Sequence, residues 1–274
     1  MTINCKGTLV DLTRPKVMGI LNCTPDSFFD GGRFIDENSF LKQVDVMLRE
    51  GATFIDVGAY SSRPGAEEVS EELELKRIVP VIELILKNYP KTILSIDTFR
   101  SKVAQECINT GASIINDISA GLRDNDMLRT VARLKVPYIM MHMRGTPKTM
   151  QRQTDYKNLI EDILYFFSQR LAAAKSLQIK DLIIDPGFGF AKTLEQNYEL
   201  LQQLQALKLI EHPLLVGISR KSMIYKLLDT TPDGALNGTT ALNMIALQKG
   251  AQILRVHDVK EAMECVRLQQ QLIG

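Results

Sequence analysis

The sequence has no surplus charge of either sign: 33 lysines and arginines stand against 32 aspartates and glutamates. That balance excludes a basic field for nucleic acid and the acidic excess of a disordered chain. No apolar run approaches the roughly 20 residues needed to cross a bilayer. Met1–Val10 also lacks a long apolar stretch, so neither a membrane span nor a secretory leader is expected. Cysteine is sparse, and Cys5, Cys23, Cys107 and Cys265 are scattered without a Cys-x-x-Cys pair. Free thiols in a reducing cytoplasm are the expectation. With histidine only at 142, 212 and 257, a histidine metal cluster is not expected either. Walker A, Gly-x-Ser-x-Gly and His-Glu-x-x-His motifs are missing, and Gly187-Phe188-Gly189 lacks the third glycine of a dinucleotide turn. No Pro/Ser-rich linker or low-complexity tract divides the chain, so residues 1–274 read as one domain.

What the chain does have is a repeated alternation. Eight short apolar runs stand at Val17–Leu21, Phe54–Ala59, Thr92–Ile96, Ser113–Ile115, Tyr138–Met141, Leu182–Ile184, Leu214–Ile218 and Ile253–Val256. Between them lie segments of helical periodicity: Phe40–Glu50, Glu71–Lys87, Lys102–Asn109, Asp126–Leu134, Leu159–Ser176, Leu194–Leu207, Ser222–Leu228, Thr239–Gln248 and Lys260–Leu272. Pro80 is expected to kink the second of these or to mark an early turn. Continuous rather than alternating apolar strands argue for a parallel sheet covered on both faces. Eight strand–helix units predict an α/β fold, a closed (β/α)8 TIM barrel, with an open doubly wound sheet as the alternative. Two connections, 22–37 and 59–70, are longer than linking requires and hold exposed Phe or Arg. They are expected to be mobile lids over the barrel mouth, against the plainer alternative of ordinary loops.

The carboxyl ends of parallel strands form the ligand face of such folds. At or just past those ends stand Asn22, Asp56, Asp97, Asn116, His142, Asp185, Lys221, Arg255 and His257. A buried aspartate often does no more than pair with a neighbouring cation. Asp97 and Asp185 on one barrel face, with Asn116 between them in chain order, point instead to ligand recognition. Aspartate accepts from an N–H edge and asparagine both donates and accepts, which suits a planar nitrogen heterocycle. Ser219-Arg220-Lys221-Ser222 follows the seventh strand and Arg255-Val256-His257 ends the eighth, the place where barrels often bind phosphate. Arg220 and Lys221 alone read as solvated residues at a helix start; with Arg255 and His257 nearby they read as an anion site. These patterns do not name a reaction.

Taken in order, NCTPDSFFDGG (22–32), SSRPGAEEVS (61–70), SIDTFRSKVA (95–104), NDISAG (116–121), MMHMRG (140–145), DPGFGFAKT (185–193), GISRKS (217–222) and RVHDV (255–259) resemble dihydropteroate synthases. That resemblance implies a transferase of folate biosynthesis. It joins 6-hydroxymethyl-7,8-dihydropterin diphosphate to p-aminobenzoate and releases pyrophosphate. It further implies that Asp97, Asn116, Asp185 and Lys221 hold the pterin, with Met141, Phe190 and Gly217 around it. Arg255, His257 and Ser62 would meet the diphosphate, and Asn22 would meet a Mg2+ ion on it. Phe28, Arg63, Pro64, Ser219 and Lys221 would form the p-aminobenzoate pocket, the site of sulfonamide mimicry. Asp97, Asp185, Lys221 and Arg63 would carry the chemistry. A cytoplasmic homodimer built through the C-terminal helices is expected on the same grounds. One departure stands out: Tyr60-Ser61-Ser62-Arg63 occupies the place where the family commonly has Glu-Ser-Thr-Arg. A methyltetrahydrofolate-dependent methyltransferase barrel needs neither the Ser-Arg-Pro-Gly segment nor the Arg-x-His site. A non-catalytic pterin-binding paralogue would be expected to have lost residues of one or the other.

Overall fold

The computed structural model describes residues 1–23, 29–30, 33–34, 37–60 and 69–273. The chain opens with an antiparallel hairpin, β1 (Thr2–Cys5) and β2 (Thr8–Asp11). The long strand β3 (Lys16–Asn22) follows, then a two-residue antiparallel pair, β4 (Phe29–Asp30) with β5 (Arg33–Phe34). From there strands and helices alternate: α1 (Glu37–Glu50), β6 (Phe54–Gly58), α2 (Glu71–Asn88), β7 (Ile93–Asp97), α3 (Ser101–Thr110), β8 (Ile114–Asp117) and α4 (Met127–Leu134). The second half continues with β9 (Tyr138–Met141), α5 (Leu159–Ser176), β10 (Leu182–Asp185), α6 (Leu194–Gln202), β11 (Leu215–Val216), α7 (Ser222–Tyr225), α8 (Leu236–Gln248), β12 (Ile253–Val256) and α9 (Val259–Ile273).

Eight parallel strands form one sheet in the order β10-β9-β8-β7-β6-β3-β12-β11. A parallel bridge between Ile184 and Leu214 brings its two ends together, with Ile184 N donating to the Pro213 carbonyl at 2.9 Å. The sheet is thus a barrel nearly closed, as the eight apolar runs predict. Strands β6, β8, β9 and β10 are buried at every residue, which is why their sequences run apolar without alternation.

Side chains two residues apart on a strand share a face, and this period builds the interior in layers. Met18, Phe54, Ile93, Ile114, Ile139, Ile183, Leu215 and Ile253, one from each barrel strand, pack together at the strands' amino ends. Two residues further on, the same face carries Ile20, Asp56, Ser95, Asn116, Met141, Asp185, Gly217 and Arg255. The floor is apolar and the layer above it carries polar and charged groups at five of its eight positions.

The β1–β2 hairpin plugs the floor: Ile3, Cys5, Val10 and Leu12 join that same apolar cluster. Its two-residue turn, Lys6 at φ 51° and Gly7 at φ 94°, has the double positive φ of a type I′ hairpin. Helices surround the barrel and bury one face each against it.

Pro80 lies inside α2, nine residues after its start, so it marks no early turn; the carbonyl left without its usual donor is that of exposed Lys76. One helical expectation needs correction. The helix expected over Leu194–Leu207 ends at Gln202 and gives way to a 3-10 turn, Leu204–Ile210. Buried Leu204 and Leu207 are three residues apart and stack on one edge of that tighter helix. The two long connections fall largely outside the described residues, as do Phe28, Ser62, Arg63 and Pro64.

If the hairpin seals the floor, Ile3→Ala lowers unfolding stability by about 2–4 kcal/mol in urea titration. A change under about 0.5 kcal/mol would mean that the hairpin only rests on the barrel.

Candidate active site at the mouth of the barrel

Arg255 lies between two aspartates above the floor. Its Nε donates to Asp56 Oδ2 at 2.6 Å and its Nη2 to Asp97 Oδ2 at 2.8 Å. Asn116 Nδ2 donates to the same Asp56 oxygen at 3.0 Å. Register explains the meeting: Asp97 pairs with Asn116 across β7 and β8, and β3 with its neighbours β6 and β12 brings Asp56 near Arg255. Asp56 Oδ1 and Asp97 Oδ1 are buried and accept no hydrogen bond. Unpaired buried acceptors are costly, so both oxygens are suited to an incoming N–H donor. Burial raises the Asp97 carboxyl above its ordinary pKa, and Asp56 adds to that rise while Arg255 opposes it.

The turn after β10 supplies the next wall. Asp185 Oδ1 accepts from Gly187 N at 2.8 Å, and burial raises its carboxyl while Lys221 and that hydrogen bond pull it back. Gly187 has φ +70°, and a Cβ there would stand 2.1 Å from the His142 carbonyl. Only glycine lets the turn pass so close. Lys221 Nζ donates to the Phe188 carbonyl and lies 4.8 Å from the centre of the Phe190 ring. Burial pulls the Lys221 ammonium down to about 8, with Asp185 opposing. Met141, Phe190, Phe99 and Ile118 make the apolar side of the mouth. A Thr193–Gln196 capping box starts α6 and so fixes where the turn ends.

On the far side Ser219 Oγ stands 3.0 Å from His257 Nδ1 and accepts from His257 N at 3.2 Å. Gly217 leaves room beside Arg255, whose Cβ would lie 3.8 Å from a side chain there. Asn22 ends β3, half-buried and paired in register with Gly58. Among the described residues, no three His, Cys, Asp or Glu side chains gather as a metal cage.

The pterin binding enzyme family matches residues 18–257. A dihydropteroate synthase of Haemophilus influenzae is 44% identical over 272 residues, covering 98% of both chains. One from Escherichia coli K12 is 44% identical over 270 residues, 98% of this chain and 95% of its own. In structure, the Yersinia pestis dihydropteroate synthase in complex with a sulfonamide drug superposes with a TM-score of 0.93 at 44% identity, covering 100% and 99% of the two chains. The Xanthomonas albilineans enzyme with 4-aminobenzoic acid gives 0.91 at 37% identity, covering 100% and 98%. This chain belongs to the dihydropteroate synthase family of pterin-binding enzymes.

Most of the expected residues converge. Asp97, Asn116 and Arg255 share one network; Asp185, Phe190 and Lys221 share the β10 turn; Ser219 and His257 touch. Arg220 does not join them. It binds Asp258 through Nε at 3.0 Å and Nη2 at 2.6 Å, and Asp233 through Nη1 at 3.0 Å. Those acceptors satisfy its fork, so the anion site expected of Arg220 is corrected to an ion pair that ties β12 to the loop after β11.

Asp56 was only one of several strand-end polar residues in the sequence, with no role attached. Its complete burial and its two donors make it the anchor of Arg255. Tyr60, the departure from the family's glutamate, sits edge-on to Phe99 at 5.3 Å with its hydroxyl buried and unpaired. Burial pushes that phenol far above its ordinary pKa, so it stays neutral in the apolar wall.

Removing the cation should expose the cluster's dependence on it. Arg255→Met is expected to lose about 3–5 kcal/mol of stability at pH 7.5, the cost of leaving buried carboxylates unpaired. Burial raises the Asp97 carboxyl in the folded state, so it binds a proton more readily there than in the unfolded chain and the variant gains stability as pH falls. Denaturation at pH 7.5 and pH 5 should therefore show the gap to wild type narrowing with acid. A gap independent of pH would separate Arg255 from the carboxylates energetically.

Proposed function

We propose that this mouth condenses 6-hydroxymethyl-7,8-dihydropterin diphosphate with p-aminobenzoate to give 7,8-dihydropteroate and pyrophosphate. The observation that carries this reading is the convergence at the strand ends of Asp97, whose buried Oδ1 has no partner within the protein, with Asn116 and Asp185, beside an apolar wall. A pterin's N–H edge supplies donors to those two carboxylates, and its ring matches the wall of Met141 and Phe190.

In the reaction the arylamine nitrogen attacks the methylene carbon, the carbon–oxygen bond breaks with its electron pair going to the departing pyrophosphate, and the nitrogen gives up a proton to that pyrophosphate or to water. A neutral amine needs no covalent intermediate. The barrier lies in leaving-group departure, which is met by electrostatic stabilisation. Asp97 and Asp185 accept from the pterin and balance positive charge that develops on it, while Asn116 both donates and accepts. Lys221 lies beside the same ring face at Phe190. Arg255 and His257, with Ser62, stabilise the departing diphosphate. Asp56 keeps the Arg255 guanidinium in place as that charge moves. Phe28, Arg63, Pro64 and Ser219 form the p-aminobenzoate pocket with Lys221, where sulfonamides compete.

Mg2+ fits this chain as an ion carried by the diphosphate, held by Asn22 and water. Asn22 ends β3 half-buried, and its amide oxygen is a hard donor of the kind Mg2+ takes beside phosphate oxygens and water. Asn22 would hold the ion, whose charge would offset that of the leaving pyrophosphate. The whole chain acts as one barrel domain in the cytoplasm, and no described helix is long and apolar enough to cross a membrane. A homodimer is supported by apolar residues left on the outer faces of the last two helices, Ile245, Leu268 and Leu272.

Purified protein should form dihydropteroate and pyrophosphate in equal amounts only with both substrates and Mg2+ present. Pterin binding by calorimetry should weaken about 10- to 150-fold in Asp185→Ala, as loss of a charge-assisted hydrogen bond implies. Unchanged affinity would remove Asp185 from the pterin site.

A further inference from the structure

The turn after β10 is held by two lysines, and one of them is sealed from solvent. Lys192 is 3% exposed. Its Nζ donates to the Gly187 carbonyl at 2.9 Å and the Phe190 carbonyl at 3.0 Å, and stands 3.1 Å from His142 Nδ1. Three acceptors match the three hydrogens of an ammonium. The carbonyl between them, that of Phe188, is taken by Lys221. His142 completes the frame: its backbone N donates to the Asp185 carbonyl at 2.8 Å and its ring packs edge-on against Phe166 at 4.9 Å. Burial holds the imidazole far below its ordinary pKa, so it is neutral and able to accept. An apolar side chain would fill the same space without the cost of burying a charge. What the ammonium adds is a grip on two carbonyls of one turn.

We propose that Lys192 is a positioning residue for the reaction, one that holds the 187–190 turn so that Asp185, Phe190 and Lys221 meet the pterin together. This rests on the pterin pocket proposed above and adds a residue that has no contact with substrate in it. A second consequence is electrostatic. The charged and titratable groups facing Lys192 are Asp185 on β10, Lys221 after β11, Arg144 after β9 and His142 at the end of β9. Burial pulls the Lys192 ammonium down to about 7, and Asp185 opposes that fall. In return the ammonium helps Lys221 and Arg255 hold Asp185 ionised. Without it the Asp185 carboxyl takes up its proton at a higher pH.

The test compares wild type, Lys192→Met, Lys192→Arg and His142→Phe in steady-state turnover and in direct binding of 6-hydroxymethylpterin. In Lys192→Met the KM for pterin diphosphate should rise tenfold or more, with the KM for p-aminobenzoate changing less than threefold. The acid limb of pterin binding should move to higher pH. Lys192→Arg should return that limb toward wild type, because it restores the charge. His142→Phe, which leaves one ammonium hydrogen unpaired, should show a smaller rise in the same KM and serves if Lys192→Met does not fold. Unchanged pterin KM and an unmoved acid limb, with only a lower melting temperature, would reduce Lys192 to a packing residue. Wild-type protein that makes no dihydropteroate would instead overturn the functional reading, and the binding measurements would still decide the lysine.

Discussion

A guanidinium between two buried carboxylates is the interaction on which the mouth of this barrel depends. Asp56 is wholly buried and Asp97 nearly so, and Arg255 between them supplies the opposite charge that buried carboxylates need. The pairing is incomplete by design of the geometry: each aspartate gives one oxygen to Arg255 and keeps another buried and unpaired. The cluster is therefore stable enough to fold yet still short of donors. In the proposed reading a planar ligand with N–H groups supplies Asp97 with a donor, which ties recognition to a cost the folded cluster already carries.

The barrel makes such a cluster possible by separating what folds from what binds. Apolar residues at the amino ends of the strands, sealed by the N-terminal hairpin, form an apolar floor. Two residues further along, the same strands present Asp56, Asn116, Asp185 and Arg255. The floor supplies stability to a layer that is electrostatically expensive. Above both, the β10 turn is shaped by glycines at positive φ and by lysines that bind its carbonyls. Rigid support of this kind is what keeps charged groups aimed without reorganisation at the moment of reaction.

Much of this was legible in the sequence, because strand ends and turns are local signals. The runs ending in Asp97, Asn116 and Asp185 marked three residues that the structure brings to the strand ends at the mouth, and the period of two carries them to the interior face. Pairings between distant residues were not legible. Asp56 and Arg255 lie 199 positions apart, and nothing local says that they meet. Arg220 failed for a related reason: its neighbours in the chain suggested phosphate, while Asp258, 38 residues away, claimed its fork. The hairpin is not legible because its four-residue strands, with two inward apolar residues in β1 and one in β2, carry a weak pattern. Lys192 reads in sequence as an ordinary charge after a glycine turn, and only its three acceptors reveal otherwise.

The central claim is that ionised carboxylates, Asp97 and Asp185 foremost, accept the pterin's hydrogens. A protonated carboxyl offers one acceptor and one donor where the ligand needs two acceptors. Calorimetric titration of wild-type protein with 6-hydroxymethylpterin from pH 7.5 to pH 5 tests this most directly. Burial raises both carboxyls, so affinity should fall steadily with acid across that range while the circular dichroism stays native. Affinity that stays flat to pH 5 would contradict the claim and place the pterin's hydrogens on other acceptors.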